Sequence, residues 1–330
     1  MGSRRLAFAL ALSAAFTGTQ AMAMDGVVAS IKPVHSLVAA VMEGSGSPQL
    51  LVKGAASPHT YTMRPSEAGM LQDAKVIFWV GEGIETFLEK PLDSLAGGAK
   101  VVKLSETPGI TLLDMREGGT FEAHDHGEHG HAHDSEEDGH DHAHDEHAGD
   151  DHAGHDHGKD MHVWLDPENA RLMVHRIAST LAEADPQNAE LYEKNAAALD
   201  QRFNELATEV EKTVAPVRGK PFIVFHDAYH YFENRFGVEA AGSLTVSPDQ
   251  MPSAQRLEEI HAKIKELNAA CIFTEPQFDS KFADVVKEGT SAGTGVLDPE
   301  GAGLDEGPEL YFTLIRNLAT SLADCLSGAK

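Results

Sequence analysis

Residues 186–214 read PQNAELYEKNAAALDQRFNELATEVEKTV, a run with no glycine and with proline only at its first position. Leu191, Leu199, Phe203, Leu206 and Val210 recur near the 3.6-residue period of a helix. Proline suits the first turn of a helix and disrupts its interior. The spacing therefore predicts one uninterrupted helix, about 40 Å long at 1.5 Å per residue and able to run the length of two domains.

Working outward, the helix is flanked on both sides by the same kind of alternation. Asp185-Pro186 restarts the chain after a helix predicted over Pro167–Ala184, with Asp166 at its N-cap and Pro167 in its first turn. Earlier, strands are predicted at Val27–Ile31, Gln49–Val52 and Val76–Val80, with helices at His35–Met42, Arg64–Asp73 and Ile84–Leu95. Later, strands are predicted at Phe222–Phe225, Ala270–Thr274 and Gly295–Leu297. Helices are predicted there at Tyr229–Phe236, Ser253–Leu267, Asp279–Glu288 and Pro308–Leu326. Strands alternating with helices argue for parallel sheets. The expected class is α/β: two α/β lobes with parallel-type sheets, spanning 24–185 and 215–330, joined by one long rigid helix at 186–214. A length of 330 residues suits about two domains.

Charge and the chain's start bound the function. The formal charge is −26, from 52 acidic and 26 basic side chains. It opposes nucleic acid and anionic membrane surfaces and suits a cationic ligand. Residues 1–23 read as a secretory signal peptide: Arg4 and Arg5, an apolar stretch from Leu6 to Phe16 too short to span a bilayer, then Ala21-Met22-Ala23 at a cleavage site. The mature chain is expected to start near Met24 or Asp25 and to be exported, with no later apolar run long enough to cross a membrane. Cys271 and Cys325 are the two cysteines. In an oxidising compartment an even pair suggests one disulfide, with two separate buried thiols as the alternative; a zinc site on these two alone lacks neighbouring ligands.

Between Gly118 and Asp160 the composition shifts to His, Asp, Glu, Gly and Ala, too polar to offset the entropy of ordering. Disorder without metal is expected there. From Phe121 through Asp160 lie twelve histidines, 14 acidic residues and one lysine. The histidines are His124, His126, His129, His131, His133, His140, His142, His144, His147, His152, His155 and His157. Pairs two residues apart, such as His124/His126 and His155/His157, can wrap one ion in a flexible chain. The tract reads as an auxiliary, weak metal-binding loop that concentrates Zn²⁺ and feeds a cleft beginning at His162.

Outside the tract four ligand-type residues stand at telling places. His226 ends the apolar strand Phe222–Phe225, and Asp298 ends Gly295–Leu297. His59 follows the strand ending near Val52, and His162 precedes a helix. Open α/β sheets bind ligands beyond the carboxyl ends of their strands. A single histidine at a strand end is more often structural; the four together, two expected in each lobe, favour a metal site. Three imidazoles and one carboxylate suit tetrahedral Zn²⁺, whereas Mn²⁺ favours more carboxylate oxygen. His35, His175, His230 and His261 read as structural, with His230 also a candidate to support the site. Glu275, at a strand end, reads as cleft wall rather than ligand.

Several motifs carry a resemblance: Ala29-Ser30-Ile31-Lys32-Pro33, Pro58-His59-Thr60-Tyr61 with Arg64-Pro65-Ser66, His162-Val163-Trp164-Leu165-Asp166-Pro167, Phe225-His226-Asp227-Ala228-Tyr229, Phe273-Thr274-Glu275-Pro276-Gln277-Phe278 and Leu297-Asp298-Pro299. Over essentially all of the expected mature chain, the sequence resembles the zinc-binding receptors of ABC importers, the ZnuA type within the zinc and manganese solute-binding proteins. The resemblance implies a fold of two α/β lobes bridged by a rigid helix, with the metal between them. It implies His59, His162 and His226 as ligands. The fourth position falls to Asp298, to water, or to an acidic neighbour of the first histidine, and Pro58 rules out the last. Manganese members tend to carry Glu where this chain has His226. Cys271 and Cys325 fall where zinc members form a disulfide. The implied function is capture of Zn²⁺ in the periplasm and delivery to the membrane permease of an ABC importer, by a monomer that a periplasmic zinc carrier could load.

Three other readings compete. A manganese receptor of the same class is one. A zinc-dependent hydrolase is another, since three histidines with an open position also make a hydrolytic site; the sequence has no His-Glu-x-x-His helix and no nucleophile elbow. The third is a surface adhesin that uses metal structurally.

Overall fold

The computed structural model describes residues 23–116, 121, 158–245, 248 and 252–328. The signal-peptide segment, apart from Ala23, and all twelve histidines of the tract lie outside the described residues. None of the described helices is long and apolar enough to cross a membrane.

Two four-stranded sheets, every pairing parallel, lie on opposite sides of the long helix in sequence. The first holds β1 (Val27–Ala29), β2 (Gln49–Leu50), β3 (Val76–Trp79) and β4 (Lys100–Lys103) in the order β2-β1-β3-β4. The second holds β5 (Phe222–His226), β6 (Gly242–Thr245), β7 (Cys271–Thr274) and β8 (Gly293–Val296) in the order β6-β5-β7-β8. The same order recurs in both, so each sheet reverses its winding direction between its first and third strands. That reversal opens a crevice at the strands' carboxyl ends. The central strands β1, β3 and β5 are buried throughout, as parallel strands covered on both faces must be.

The helices of the first half are α1 (Lys32–Val41), α2 (Pro65–Gln72), α3 (Glu89–Leu95) and α4 (Pro167–Ala184). α4 has the predicted bounds: the Asp166 side chain accepts from the Glu168 N–H at 2.9 Å, and Pro167 opens the first turn. The long helix is α5 (Ala189–Val214), 26 residues with a 3-10 turn at Pro186–Asn188 before it and another at Ala215–Val217 after it. Its buried stripe is Tyr192, Ala196, Leu199, Phe203, Leu206, Val210 and Val214. Tyr192, not the half-buried Leu191, makes the first contact of that stripe. α6 (His230–Phe236), α7 (Ala254–Leu267), α8 (Lys281–Lys287) and α9 (Leu310–Ser327) complete the chain. One hydrophobic core runs through both halves, from Val27 and Phe78 through Phe203 to Phe222 and Phe312.

The structure differs from the sequence reading at one helix and at two strands. The helix expected over Ile84–Leu95 is a 3-10 turn at Thr86–Leu88 followed by α3. Pro91 lacks an N–H and so can stand only in a helix's first turn, which forces the start to about Glu89. The strands β4 and β6 were not anticipated. Both are edge strands, and Gly242-Ser-Leu-Thr lacks the β-branched run of a central strand. Cys271 and Cys325 form a disulfide between β7 and α9, with Cα atoms 6.1 Å apart.

Candidate metal centre

His226 is the last residue of β5, and Glu275 immediately follows β7. β5 and β7 are neighbours, so both side chains stand at the point where the second sheet reverses. His59 lies in a 3-10 turn, Pro58–Thr60, that follows the end of β2. His162 directly precedes the 3-10 turn Val163–Leu165 that leads into α4. These segments bring His59, His162 and His226 together, with one nitrogen from each ring within 4.8 Å of the others. Ring centroids are 5.4 Å apart for His59 and His162, 5.6 Å for His59 and His226, and 5.2 Å for His162 and His226.

Two of the imidazoles are held in the same way. Asp160 Oδ1 accepts from the His162 backbone N–H at 2.9 Å and meets His162 Nδ1 at 2.8 Å. Glu275 Oε1 accepts from the His226 backbone N–H at 3.3 Å and meets His226 Nδ1 at 2.6 Å. An ionised carboxylate only accepts, so each Nδ1–H donates to its carboxylate, and in the neutral ring that leaves the lone pair on Nε2. Those two Nε2 atoms stand 3.3 Å apart. Ligands about 2.05 Å from a tetrahedral ion are separated by about 3.3 Å, so the two nitrogens have the spacing of two ligands on one ion. Carboxylate-backed histidines are the usual support of metal ligands.

Burial and neighbouring charge set the rings apart. Burial pushes His59 well below the ordinary histidine value, and the other two imidazoles push the same way. Burial also opposes protonation of His226, but the Glu275 carboxylate outweighs it and leaves the ring raised.

Asp298 is not part of this cluster. Its Oδ1 accepts from Gln277 Nε2 at 3.0 Å and from the N–H groups of Glu300 and Gly301 at 3.1 and 2.9 Å. That oxygen forms the turn after β8, because a short Asp side chain reaches its own downstream backbone. Glu275 and Asp160 are the supporting residues. Glu275 was legible as cleft wall; Asp160 was hidden at the end of an acidic run. His230 Nδ1 lies 3.9 Å from Asp160 Oδ2, beyond hydrogen-bond distance. His35, His175 and His261 bond to the Pro48 carbonyl, to Asp200 and to the Glu288 carbonyl, away from the triad.

A cavity of about 140 Å³ reaches the three histidines past Met115, Arg116, Phe121, Asp160 and Asp227. Arg116 donates to Asp227 and, at 2.6 Å, to Glu233. Asp114 and Lys159 pair in an antiparallel bridge, with the Met115 N–H donating to the Gly158 carbonyl at 3.0 Å. The two ends of the His-rich tract are thus pinned together beside this cavity.

Two α/β lobes with matching parallel sheets, meeting over a largely buried cluster of metal-ligand side chains, define a two-lobe solute-binding protein. The family model described as "Zinc-uptake complex component A periplasmic", ZnuA, matches residues 27–325, and the chain belongs to that family. The "High-affinity zinc uptake system protein ZnuA" of Brucella suis biovar 1 (strain 1330) is 56% identical over 327 residues, 98% of each chain. The protein of the same name from Yersinia pestis is 37% identical over 322 residues, 97% of this chain and 96% of that one. A solved structure titled "Crystal structure of ZnuA" superposes with a TM-score of 0.72 at 25% identity, covering 93% of this chain and 99% of that one. The family is one of uptake components, not of enzymes.

Proposed function

We propose that this chain is the soluble receptor of a zinc ABC importer. It binds one Zn²⁺ between its lobes through His59, His162 and His226, with Asp298 or solvent as the fourth donor, and delivers the ion to the importer's membrane permease and ATPase. The observation that carries this is the 3.3 Å separation of two buried, carboxylate-backed Nε2 atoms beside a third imidazole. An all-nitrogen cluster favours Zn²⁺ over Mn²⁺, which prefers oxygen. The reading extends to a periplasmic location after removal of residues 1–23, to a monomer, and to lobes at 24–185 and 215–330 bridged by 186–214. The histidines from His124 to His157 serve as weak auxiliary sites that load the cleft and accept zinc from a periplasmic carrier.

The test is a zinc titration of the demetallated full chain against a chain lacking residues 122–157. Cleft ligands sit on a folded scaffold and bind with little ordering cost. Tract ligands must surrender chain freedom, which weakens each site. One tight site should survive the deletion and several weak ones should vanish. Loss of the tight site would move the principal ligands into the tract and refute the cleft.

Proton competition gives a second expected outcome. Ligating imidazoles must be neutral. His226, raised above the usual value of about 6.5, keeps its proton to higher pH than an ordinary histidine. As the pH is lowered, zinc affinity should therefore already begin to fall before about pH 6.5 is reached, with a slope of about one proton per ion. His59, held low by burial, should add to the slope only in more acid solution. Affinity measured by chelator competition that stays flat from about pH 7.5 to 5 would contradict a three-histidine site.

A further inference from the structure

We infer that Lys32 is a positioning residue of the metal site: from the first lobe it holds the loop of the second lobe that walls the ion's cavity. The inference rests on the zinc reading of the triad. Lys32 opens α1 and is only 5% exposed. Its Nζ donates to the carbonyl oxygens of Gly301 at 2.9 Å, Ala302 at 3.1 Å and Leu304 at 2.8 Å. Three donors are all that an ammonium has, and all three are spent on one loop. Among the described residues no carboxylate lies within ion-pair distance of it, so carbonyl dipoles meet the charge. Burying an ammonium is costly unless its hydrogen bonds are made, so this contact strongly favours one placement of the loop.

The loop begins at the turn made by Asp298. Its next residues, Pro299 and Glu300, line a small cavity of about 10 Å³ together with His59, His162 and His226. A second tie from the first lobe reaches the same place: Trp164 Nε1 donates to the Pro299 carbonyl at 2.9 Å. The Trp164 ring lies 5.3 Å from that of His162. On the far side, Gly301 takes φ +70° where Leu310 closes in, and an added Cβ there would lie 3.2 Å from Leu310 Cδ2. The loop is therefore held from both lobes, and an ion bound by histidines of both lobes is enclosed by it. Separating the lobes to release the ion requires Lys32 to leave three carbonyls. Metal retention and the Lys32 contact favour the same closed state, so each strengthens the other.

Lys32→Met keeps most of the side chain's length and removes its terminal ammonium, with its charge and donors. Zinc release from the full-length protein into excess chelator, followed by stopped flow, should speed up by about 10- to 100-fold. The number of tight sites and the association rate should stay as in the wild type, since such couplings act mainly on dissociation. Asn195→Ala is the control for general destabilisation. It removes two 2.9 Å bonds from Asn195 Nδ2 to the Val41 and Glu43 carbonyls, which join α5 to the end of α1. It should lower the unfolding temperature and leave release unchanged. Wild-type release in Lys32→Met, or equal acceleration in Asn195→Ala, overturns the inference. Should Lys32→Met fail to fold, Trp164→Phe removes the bond to Pro299 together with part of a buried ring and should accelerate release in the same sense; an unchanged rate there also overturns it. His226→Ala separates the two claims. If that variant loses zinc while Lys32→Met releases it normally, the positioning role alone fails. If it binds zinc as the wild type does, the zinc assignment fails and the positioning role with it.

Discussion

His226→Ala is expected to weaken the tight zinc site by about 10²- to 10³-fold. Roughly 10–16 kcal/mol of apparent binding energy is typical of protein zinc sites at neutral pH. Shared among three or four donors, it gives about 3–4 kcal/mol each, and every 1.4 kcal/mol is about tenfold. The loss is offset in part by what stays behind. Glu275 is 3% exposed and bonds the ring that the substitution deletes. Without that ring its carboxylate is left buried and short of a partner, a charge favourable for an ion nearby but costly for the empty protein. Competition with a chelator of known affinity measures the change. The weak sites of the tract should be unaffected, so total zinc uptake at high concentration should fall by at most one ion. An affinity equal to that of the wild type would remove His226 from the site.

The legibility of this site in the sequence followed the kind of constraint on each residue. His226 was visible because an apolar run of four residues, Phe222–Phe225, can only be a buried strand, and a histidine ending it must stand at the sheet's rim. His59 and His162 were placed by their neighbouring prolines and helix start. Asp298 was placed by the same strand-end logic as His226, yet its carboxylate turns the backbone at Glu300 and Gly301. Sequence position gives the end of a strand but not the direction of a short side chain that can satisfy itself locally. Asp160 was lost for a different reason. It ends a run so rich in acid that no spacing singles it out, and only the fold shows its Oδ1 against His162 Nδ1.

The fold divides along similar lines. α4 and α5 were readable because their prolines and apolar periods are local properties of the chain. The edge strands β4 and β6 were not, because an edge strand exists by virtue of the neighbour it pairs with. Lys100-Val-Val-Lys pairs with Val76–Trp79, and Gly242-Ser-Leu-Thr with β5. Neither has the continuous apolar run that marks a central strand. The shared strand order of the two sheets was equally out of reach. It is a repeat of topology with no repeat of sequence, and the two crevices hold different groups. In the first sheet Ser30 Oγ donates to the buried Glu85 at 2.5 Å. In the second, His226 and Glu275 occupy the corresponding crevice.

Removing the disulfide should destabilise the protein by about 4 kcal/mol while sparing the zinc site. Cys271 and Cys325 are 54 residues apart in sequence. Closing a loop of that size restricts the unfolded chain by about 4 kcal/mol on the chain-entropy account. Almost everything inside the loop is second-lobe structure: β7, α8, β8 and most of α9. The bond joins the β7 strand to α9 next to β8, where a Cβ added at Gly293 would lie 3.3 Å from Cys325 Sγ. The paired Cys271→Ser, Cys325→Ser variant, scanned without metal, should melt on the order of 10 °C below the wild type. Zinc must be absent from that comparison, because a ligand that binds only the native state adds RT ln(1 + [L]/Kd) and masks the difference. The site should still form, since His59 and His162 lie outside the loop and His226 is fixed by its own strand. Zinc should therefore bind the variant with the same stoichiometry and raise its melting temperature as it does for the wild type. A variant that melts with the wild type would show that the bond adds no stability beyond the packing of α9.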